Sequence, residues 1–365
     1  MHLKNIYING RFLTQPVTGV QRYSLALMRY FDLLLEEKFY SEEIKLVCLA
    51  PNEDFVAKPA WKNIEVRRIG IGKKNIWEQI DLPLYLNGQL LFSPANTGPF
   101  HYANQIVTVH DASVFAVPFA YSSAFRFKHT FIIRELTKRA SMVLTDSKFS
   151  QHELARYLGT EIERFSVIHL GADHLSEISP DEKILQRYHL KYRKYLLLVA
   201  SQSPHKNFER VVKAIKLLGT NFTIVSVGGD YQKVFKKNTP GLLLPSNIMI
   251  LDYVSDQELK TLYQNALGFI FPSIYEGFGL PPLEAMQCGC PVLCSNTASL
   301  PEVLGDAAIY FDPFDIGDIA KTINKFLSEP LLQDQLREKG YARSDQFKWS
   351  TTAQKTAEYF LNSFL

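Results

Sequence analysis

Short apolar, β-branched runs alternate with longer amphipathic stretches along nearly the whole chain. Runs of the first kind, bounded by polar turns, read as strands, and stretches with a 3.6-residue apolar period read as helices. Their alternation is the signature of βα units and a parallel sheet. The pattern occurs twice. The first set of expected strands is Asn5 to Asn9, Lys45 to Ala50, Ile64 to Ile69, Leu90 to Ser93, Ile106 to His110, Met142 to Asp146 and Ser166 to His169. The second is Tyr195 to Ala200, Phe222 to Val227, Ile248 to Leu251, Gly268 to Phe271, Pro291 to Cys294 and Ala308 to Phe311.

Between the sets lies a polar, proline-containing stretch from Ala172 to Glu182, which reads as a linker and puts a boundary near Lys183. The expected organisation is a Rossmann-like domain over 1–182, a second over 183–345, and a C-terminal helix over 346–365 packing toward the first. That helix places Trp349, Ala353, Ala357, Tyr359, Phe360 and Phe364 at helical spacing. Doubly wound sheets bind ligands at the carboxyl ends of their strands, so two facing crevices would form one deep cleft.

Composition supports two cores, since 365 residues with 46% apolar side chains exceed what one core usually holds. A net charge of +3 is too small for a nucleic-acid binder. The N-terminus reads as a strand and not as an export signal, and no run reaches the ~18 apolar residues of a membrane span, so a cytoplasmic protein is expected. Three of four cysteines crowd together as Cys288, Cys290 and Cys294, but in an apolar strand-like run that suits buried thiols better than a metal cluster or a disulfide.

The densest chemical signal runs from Pro272 to Met286: a strand end, a glycine-rich turn and a helix opening on prolines. Amides at such a helix start form a cradle for an anion. Glu276 and Glu284 bracket that turn and would accept hydrogen bonds from hydroxyls, although each alone also fits a surface turn with an acid near a helix start. Ser203-Pro-His-Lys206-Asn207 follows a strand and offers either a mobile point charge for phosphate or simply a polar loop with Ser203 as helix cap. Gly19 and Val20 follow the first strand, in a turn that permits close backbone approach. His110 and Asp111 end another strand, where a histidine serves chemistry or structure.

The run Ser273-x-x-Glu276-Gly-Phe-Gly-Leu280-Pro-x-Leu-Glu284-Ala-Met resembles the donor-binding signature of retaining GT-B glycosyltransferases of family 4, the glycosyl transferases group 1. The likeness continues through Gly289-Cys-Pro-Val292, Ser299-Leu-Pro-Glu302, Gly305-Asp-Ala-Ala308 and Phe311-Asp-Pro313. It implies a GT-B fold, with two Rossmann-like doubly wound domains facing across a cleft and a C-terminal helix crossing back. By the same resemblance Glu276 meets the donor sugar, Glu284 the ribose, and the amides of Phe278, Gly279 and Leu280 the diphosphate or sugar. Lys206, with Ser203 and Asn207, is expected to neutralise the leaving phosphate, and Gly19 with Val20 to approach it. Relatives carry an arginine where this chain has Ala200 and Ser201, so His205 or Arg210 is expected to supply the missing charge. His110 is expected beside the reacting sugar as a catalytic residue, and Asn96 and Asp111 at the acceptor.

The resemblance further implies a retaining hexosyltransferase using a nucleoside diphosphate sugar, GDP-mannose first, and acting on a saccharide or lipid-linked saccharide in cell-surface polysaccharide or lipopolysaccharide synthesis. Trp77-Glu-Gln79 and Leu82-Pro83 add likeness to bacterial polysaccharide mannosyltransferases. No D-x-D triplet occurs, so no metal or other cofactor is expected. A sugar-nucleotide epimerase of similar architecture, or a donor-binding subunit without turnover, are the rival readings. Tyr121 to Arg139 carries five basic residues against one Glu among phenylalanines, which fits either peripheral contact with an anionic membrane or an ordinary core face with solvated lysines.

Overall fold

The computed structural model describes residues 4–39, 44–199, 203–219, 222–228, 245–251 and 253–363. The chain divides into two compact units, Met1–Gly171 with Lys348–Leu365, and Ala172–Phe347. The strands are β1 Lys4–Asn9, β2 Ile44–Ala50, β3 Glu65–Arg68, β4 Leu91–Ser93, β5 Gln105–Thr108, β6 Met142–Thr145, β7 Phe165–Val167, β8 Tyr195–Val199, β9 Thr223–Val227, β10 Ile248–Leu251, β11 Gly268–Phe271, β12 Val292–Ser295 and β13 Ala308–Phe311. The longer helices are α1 Gly19–Glu36, α2 Ser123–Arg139, α3 Lys148–Leu158, α4 Phe208–Leu218, α5 Asp256–Asn265, α6 Leu280–Gln287, α7 Ile316–Ser328, α8 Pro330–Ser344 and α9 Trp349–Asn362.

Among the described residues of the first unit, seven parallel strands lie in the order β3-β2-β1-β4-β5-β6-β7. The central strands are buried on both faces, which is why they read as continuous apolar runs and not as alternating ones. Edge strand β3 is polar, and its Glu65 holds Lys45 and Arg67, each at 2.5 Å, charges that blunt an open sheet edge. Strand β5 ends at Thr108, two residues short of the expected His110. The Thr108 carbonyl takes the Asn96 N–H at 3.1 Å, and the His110 N–H turns to Asn96 Oδ1 at 2.7 Å, so the ladder stops there.

Helix α9 belongs to this unit. Trp349, Ala353, Ala357 and Phe360 are buried on one face, and Phe360 packs on Phe31 of α1 and Phe92 of β4, with ring centroids at 5.3 and 5.1 Å. Burying each large side chain of this kind contributes about 1.5–3 kcal/mol. A Cβ on Gly171 would lie 2.1 Å from the Trp349 backbone nitrogen, so only glycine lets the two chain segments pass here. Phe364, expected on the same face, lies outside the described residues, as do Ala200 and Ser201.

Among the described residues, the second unit holds six parallel strands in the order β10-β9-β8-β11-β12-β13. Val211, Val212 and Ile215 of α4 and Ile319, Ile323 and Phe326 of α7 share one core with Leu196, Leu198, Ile270 and Leu293 of the sheet. The first unit ends at Gly171, ahead of the boundary expected near Lys183, because the supposed linker is stitched to α5. Lys260 donates to the carbonyls of Leu175, Ser176 and Ile178 at 2.8, 3.2 and 2.7 Å, and the Asp181 N–H reaches the Gln257 carbonyl at 3.2 Å. At the other end the chain leaves the unit at Phe347, two residues beyond the expected 345. The four cysteines are free and buried, and burial raises the thiol pKa of each. Cys288, the least enclosed, is pushed up to about 12.

Candidate active site

Sheet order reverses between β8 and β11, and the loops after these two strands carry the strongest sequence signals. They are zipped together, because the Ile274 N–H donates to the His205 carbonyl at 2.8 Å. This brings Lys206 and Glu276 into contact, with Nζ to Oε1 at 2.5 Å and side chains 21% and 15% exposed. The ammonium also lies 5.6 Å from the centroid of the Phe271 ring, a cation–π arrangement that holds it over the strand end.

Ser299 shapes the glutamate loop. Its hydroxyl donates to the carbonyls of Glu276 and Phe278, at 2.9 and 3.0 Å, and Thr297 does the same for Ile274 at 3.1 Å. The Ser299-Leu-Pro-Glu stretch thereby shapes the loop that carries the two-glutamate run. Phe278 is buried against Phe347, with ring centroids at 5.7 Å. Gly279 has φ +102°, and a Cβ there would meet Leu300 Cδ2 at 2.7 Å, so the turn demands glycine. As N-cap of α6, Gly279 offers no side chain to the helix start, and the prolines that follow Leu280 have no N–H to spend. The positive end of the helix is left to backbone amides.

Other predicted residues have different duties. Ser203 stands at the N-cap of the 3-10 turn Pro204–Lys206 but makes no cap bond; its hydroxyl and His205 Nδ1 share a hydrogen bond of 2.8 Å instead. Asn207 takes the left-handed conformation that separates this turn from α4, donates to the Pro313 carbonyl at 2.8 Å and accepts from Arg210 at the same distance. Arg210 also lies over the Phe314 ring at 5.5 Å, so its guanidinium is engaged within the protein. Glu284 is buried and takes other partners than Glu276: His174 Nε2 is 3.0 Å from one oxygen, and the Tyr263 hydroxyl donates to the other at 3.4 Å. His174 was hidden in the stretch read as linker, and its position three residues past Gly171, after β7, was the only signal.

In the first unit Gly19 opens α1 behind Thr18, whose N–H donates to Gln21 Oε1 at 3.2 Å in a capping box. Nothing lies within 4 Å of a Cβ built on Gly19, so the fold itself does not require glycine there. Val20 is half-buried beside it. His110 is buried: Nε2 is 3.1 Å from the Pro94 carbonyl, Nδ1 is 2.8 Å from Asp146 Oδ2, and the Tyr23 ring meets it edge-on at 4.6 Å. A carbonyl only accepts, so Nε2 carries a proton. Burial alone would lower the His110 pKa, but the charge and hydrogen bond of Asp146, with Asp111 beyond, outweigh it and raise it above the ordinary value. Burial in turn raises that of Asp146. Both imidazole nitrogens of His110 are thus engaged, which leaves neither free to take a proton from a ligand in this arrangement. Asn96 fixes the His110 backbone from a left-handed conformation, and Asp111 Oδ1 accepts the Ser113 N–H at 2.8 Å. Asp146 is the partner that sequence reasoning missed, although the strand was expected to end on it.

Residues 181–343 match the model of the family described as glycosyl transferases group 1. O-antigen chain mannosyltransferase B of Escherichia coli is 30% identical over 372 aligned residues, which span 93% of this chain and 95% of that protein. Among solved structures, sucrose-phosphate synthase of Thermosynechococcus elongatus superposes with a TM-score of 0.77 at 17% identity, covering 99% of both chains. The HepE protein of Anabaena in complex with UDP-glucose gives 0.74 at 17% identity, covering 99% of this chain and all of that one. At such identities the superpositions establish the GT-B fold, while the full-length likeness to the E. coli protein establishes descent. The chain belongs to the group 1 family of glycosyltransferases.

Proposed function

We propose that the chain is a retaining, metal-independent mannosyltransferase that takes mannose from GDP-mannose and adds it to a saccharide or lipid-linked saccharide of a cell-surface polysaccharide of the O-antigen type. The name of the E. coli relative supports the sugar and the pathway, and the UDP-glucose complex of HepE supports a nucleotide-sugar donor. One observation carries the donor site: an ammonium and a carboxylate in contact beside a helix start without a side-chain cap. A bound diphosphate competes with Glu276 for Lys206 and frees the carboxylate for sugar hydroxyls. The α6 amides and Lys206 then stabilise the charge that grows on the leaving diphosphate, where fixed positive potential gives the largest catalytic effect. The acceptor proton passes to that leaving phosphate, which agrees with the absence of a free imidazole nitrogen at His110.

Purified protein offered a panel of sugar nucleotides in EDTA tests this reading: nucleoside diphosphate release and thermal stabilisation should single out GDP-mannose. Release that requires magnesium or manganese would end the metal-free scheme.

We also propose peripheral contact with an anionic membrane surface through the exposed face of α2. Ile132, Ile133 and Leu136 are buried in the core, yet Phe125, Phe127 and Phe131 stand exposed among Arg126, Lys138 and Arg139, with Phe127 78% exposed. No described helix is long and apolar enough to cross a membrane. Co-sedimentation with phosphatidylglycerol vesicles at low salt should vanish on Arg126→Glu with Lys138→Glu; no sedimentation of the unaltered protein at low salt contradicts the contact.

A further inference from the structure

Glu284 is held from two directions by residues that lie outside the donor motifs. It stands in the second turn of α6, buried, with His174 Nε2 3.0 Å from Oε1 and the Tyr263 hydroxyl donating to Oε2 at 3.4 Å. A carboxylate only accepts, so the ring nitrogen that faces it carries a proton. With side chains 11% and 7% exposed, His174 and Glu284 meet out of water, in an ion-pair contact rather than an aligned hydrogen bond. Burying a carboxylate is costly unless donors and charge compensate it.

Both partners are themselves fixed, and by one helix. Tyr263 of α5 is buried, with its ring edge-on to Phe269 at 5.4 Å. One turn earlier on α5, Lys260 donates to the Leu175 carbonyl at 2.8 Å and so clamps the 3-10 turn Asp173–Leu175 that carries His174. Ahead of that turn, the Ala172 N–H is bonded to the Phe347 carbonyl at 3.0 Å, and the Phe347 ring packs on Phe278 of the glutamate loop. His174 is therefore pinned before and after its own position, which is how a supporting side chain keeps a ligand-binding group in one geometry.

We propose that His174 is a positioning residue for the nucleotide part of the donor: it sets the plane of the Glu284 carboxylate so that both oxygens accept from the vicinal hydroxyls of the ribose. His174 and Tyr263 come to different oxygens, which stops the group from turning about its last bond. An ionised carboxylate has about four acceptor positions, so one held in a single plane matches a forked pair of hydroxyls. The assignment rests on the reading of Glu284 as the ribose contact, and it adds what makes that contact selective for an intact diol. A pair that only filled space under α6 would instead affect every nucleotide alike.

Titration calorimetry of the full-length protein with GDP and with UDP, each beside its dideoxyribose analogue, separates the two roles. The unaltered protein should prefer the better-bound nucleotide over its analogue by roughly tenfold or more, as expected for hydroxyls that donate to a charged group. His174→Ala should lose most of that preference by weakening the intact nucleotide severalfold, with the analogue bound as before. His174→Asn, too short to reach Glu284, gives the same reading should the alanine variant not fold. His174→Gln, which returns an N–H donor, should restore most of the preference. An unchanged preference in the two short variants, or equal weakening of nucleotide and analogue, overturns the assignment, and a glutamine variant no better than alanine also counts against it. Glu284→Gln tests the underlying reading separately. A preference that survives there removes Glu284 from the ribose, whereas one lost there and kept in His174→Ala removes His174 alone. In transfer assays His174→Ala should raise the donor KM more than it lowers kcat; a fall in kcat alone contradicts the positioning role.

Discussion

His110 Nε2 faces the Pro94 carbonyl and Nδ1 faces the Asp146 carboxylate, so the ring's behaviour depends on one neighbour. With Asp146 present the native pKa of His110 is above its ordinary value of 6.5. The stabilisation from this pair is then complete below pH about 6.5 and is lost as pH rises through the native value. In Asp146→Asn, burial remains without the charge, so the native pKa falls below the ordinary value and the sign reverses, with stability lost as pH falls. Thermal melts from about pH 5.5 to 8.5 should therefore slope in opposite senses for the two proteins. Parallel slopes would remove the ion pair from the account. His110 itself was legible because it ends an apolar run, but Asp146 was not, since the pair joins residues 36 apart through the register of β5 on β6. The same holds for His174 and Glu284, whose contact spans more than a hundred residues and leaves no local trace.

At the level of elements, the thirteen strands among the described residues were legible, because buried parallel strands read as short apolar runs between polar turns. The amphipathic pattern of α2 did not decide between core and surface, since its second half is core-facing and its first half exposed, and a single period cannot report a change along the axis. Both helix starts assigned to the donor open at glycine, for different physical reasons. Gly279 is held at φ +102° against Leu300, whereas Gly19 has open space where its Cβ would be. Gly279→Ala should cost on the order of 1–3 kcal/mol and lower Tm. Gly19→Ala should leave Tm unchanged and raise the donor KM, because what it crowds is the ligand and not the fold. A fall in Tm with no change in KM would make Gly19 a structural turn.

For the whole molecule, the sequence showed two sheets but misplaced the passage between them. Polarity and a proline marked 172–182 as linker, yet Lys260 and Gln257, more than seventy residues away, bind that segment to the second unit. Composition cannot reveal such partners. The runs proposed to bind the donor stand out in the sequence because each is contiguous, whereas Lys206 and Glu276 are brought together only by folding. That contact is the centre of the functional account, and nucleoside diphosphate release from GDP-mannose in EDTA, compared between unaltered protein and Glu276→Ala, tests it most directly. Transfer should proceed without added metal, and Glu276→Ala should lose at least roughly a hundredfold in kcat, equivalent to about 2.7 kcal/mol of transition-state stabilisation, with Tm retained. Transfer by Glu276→Ala at the unaltered rate would contradict it.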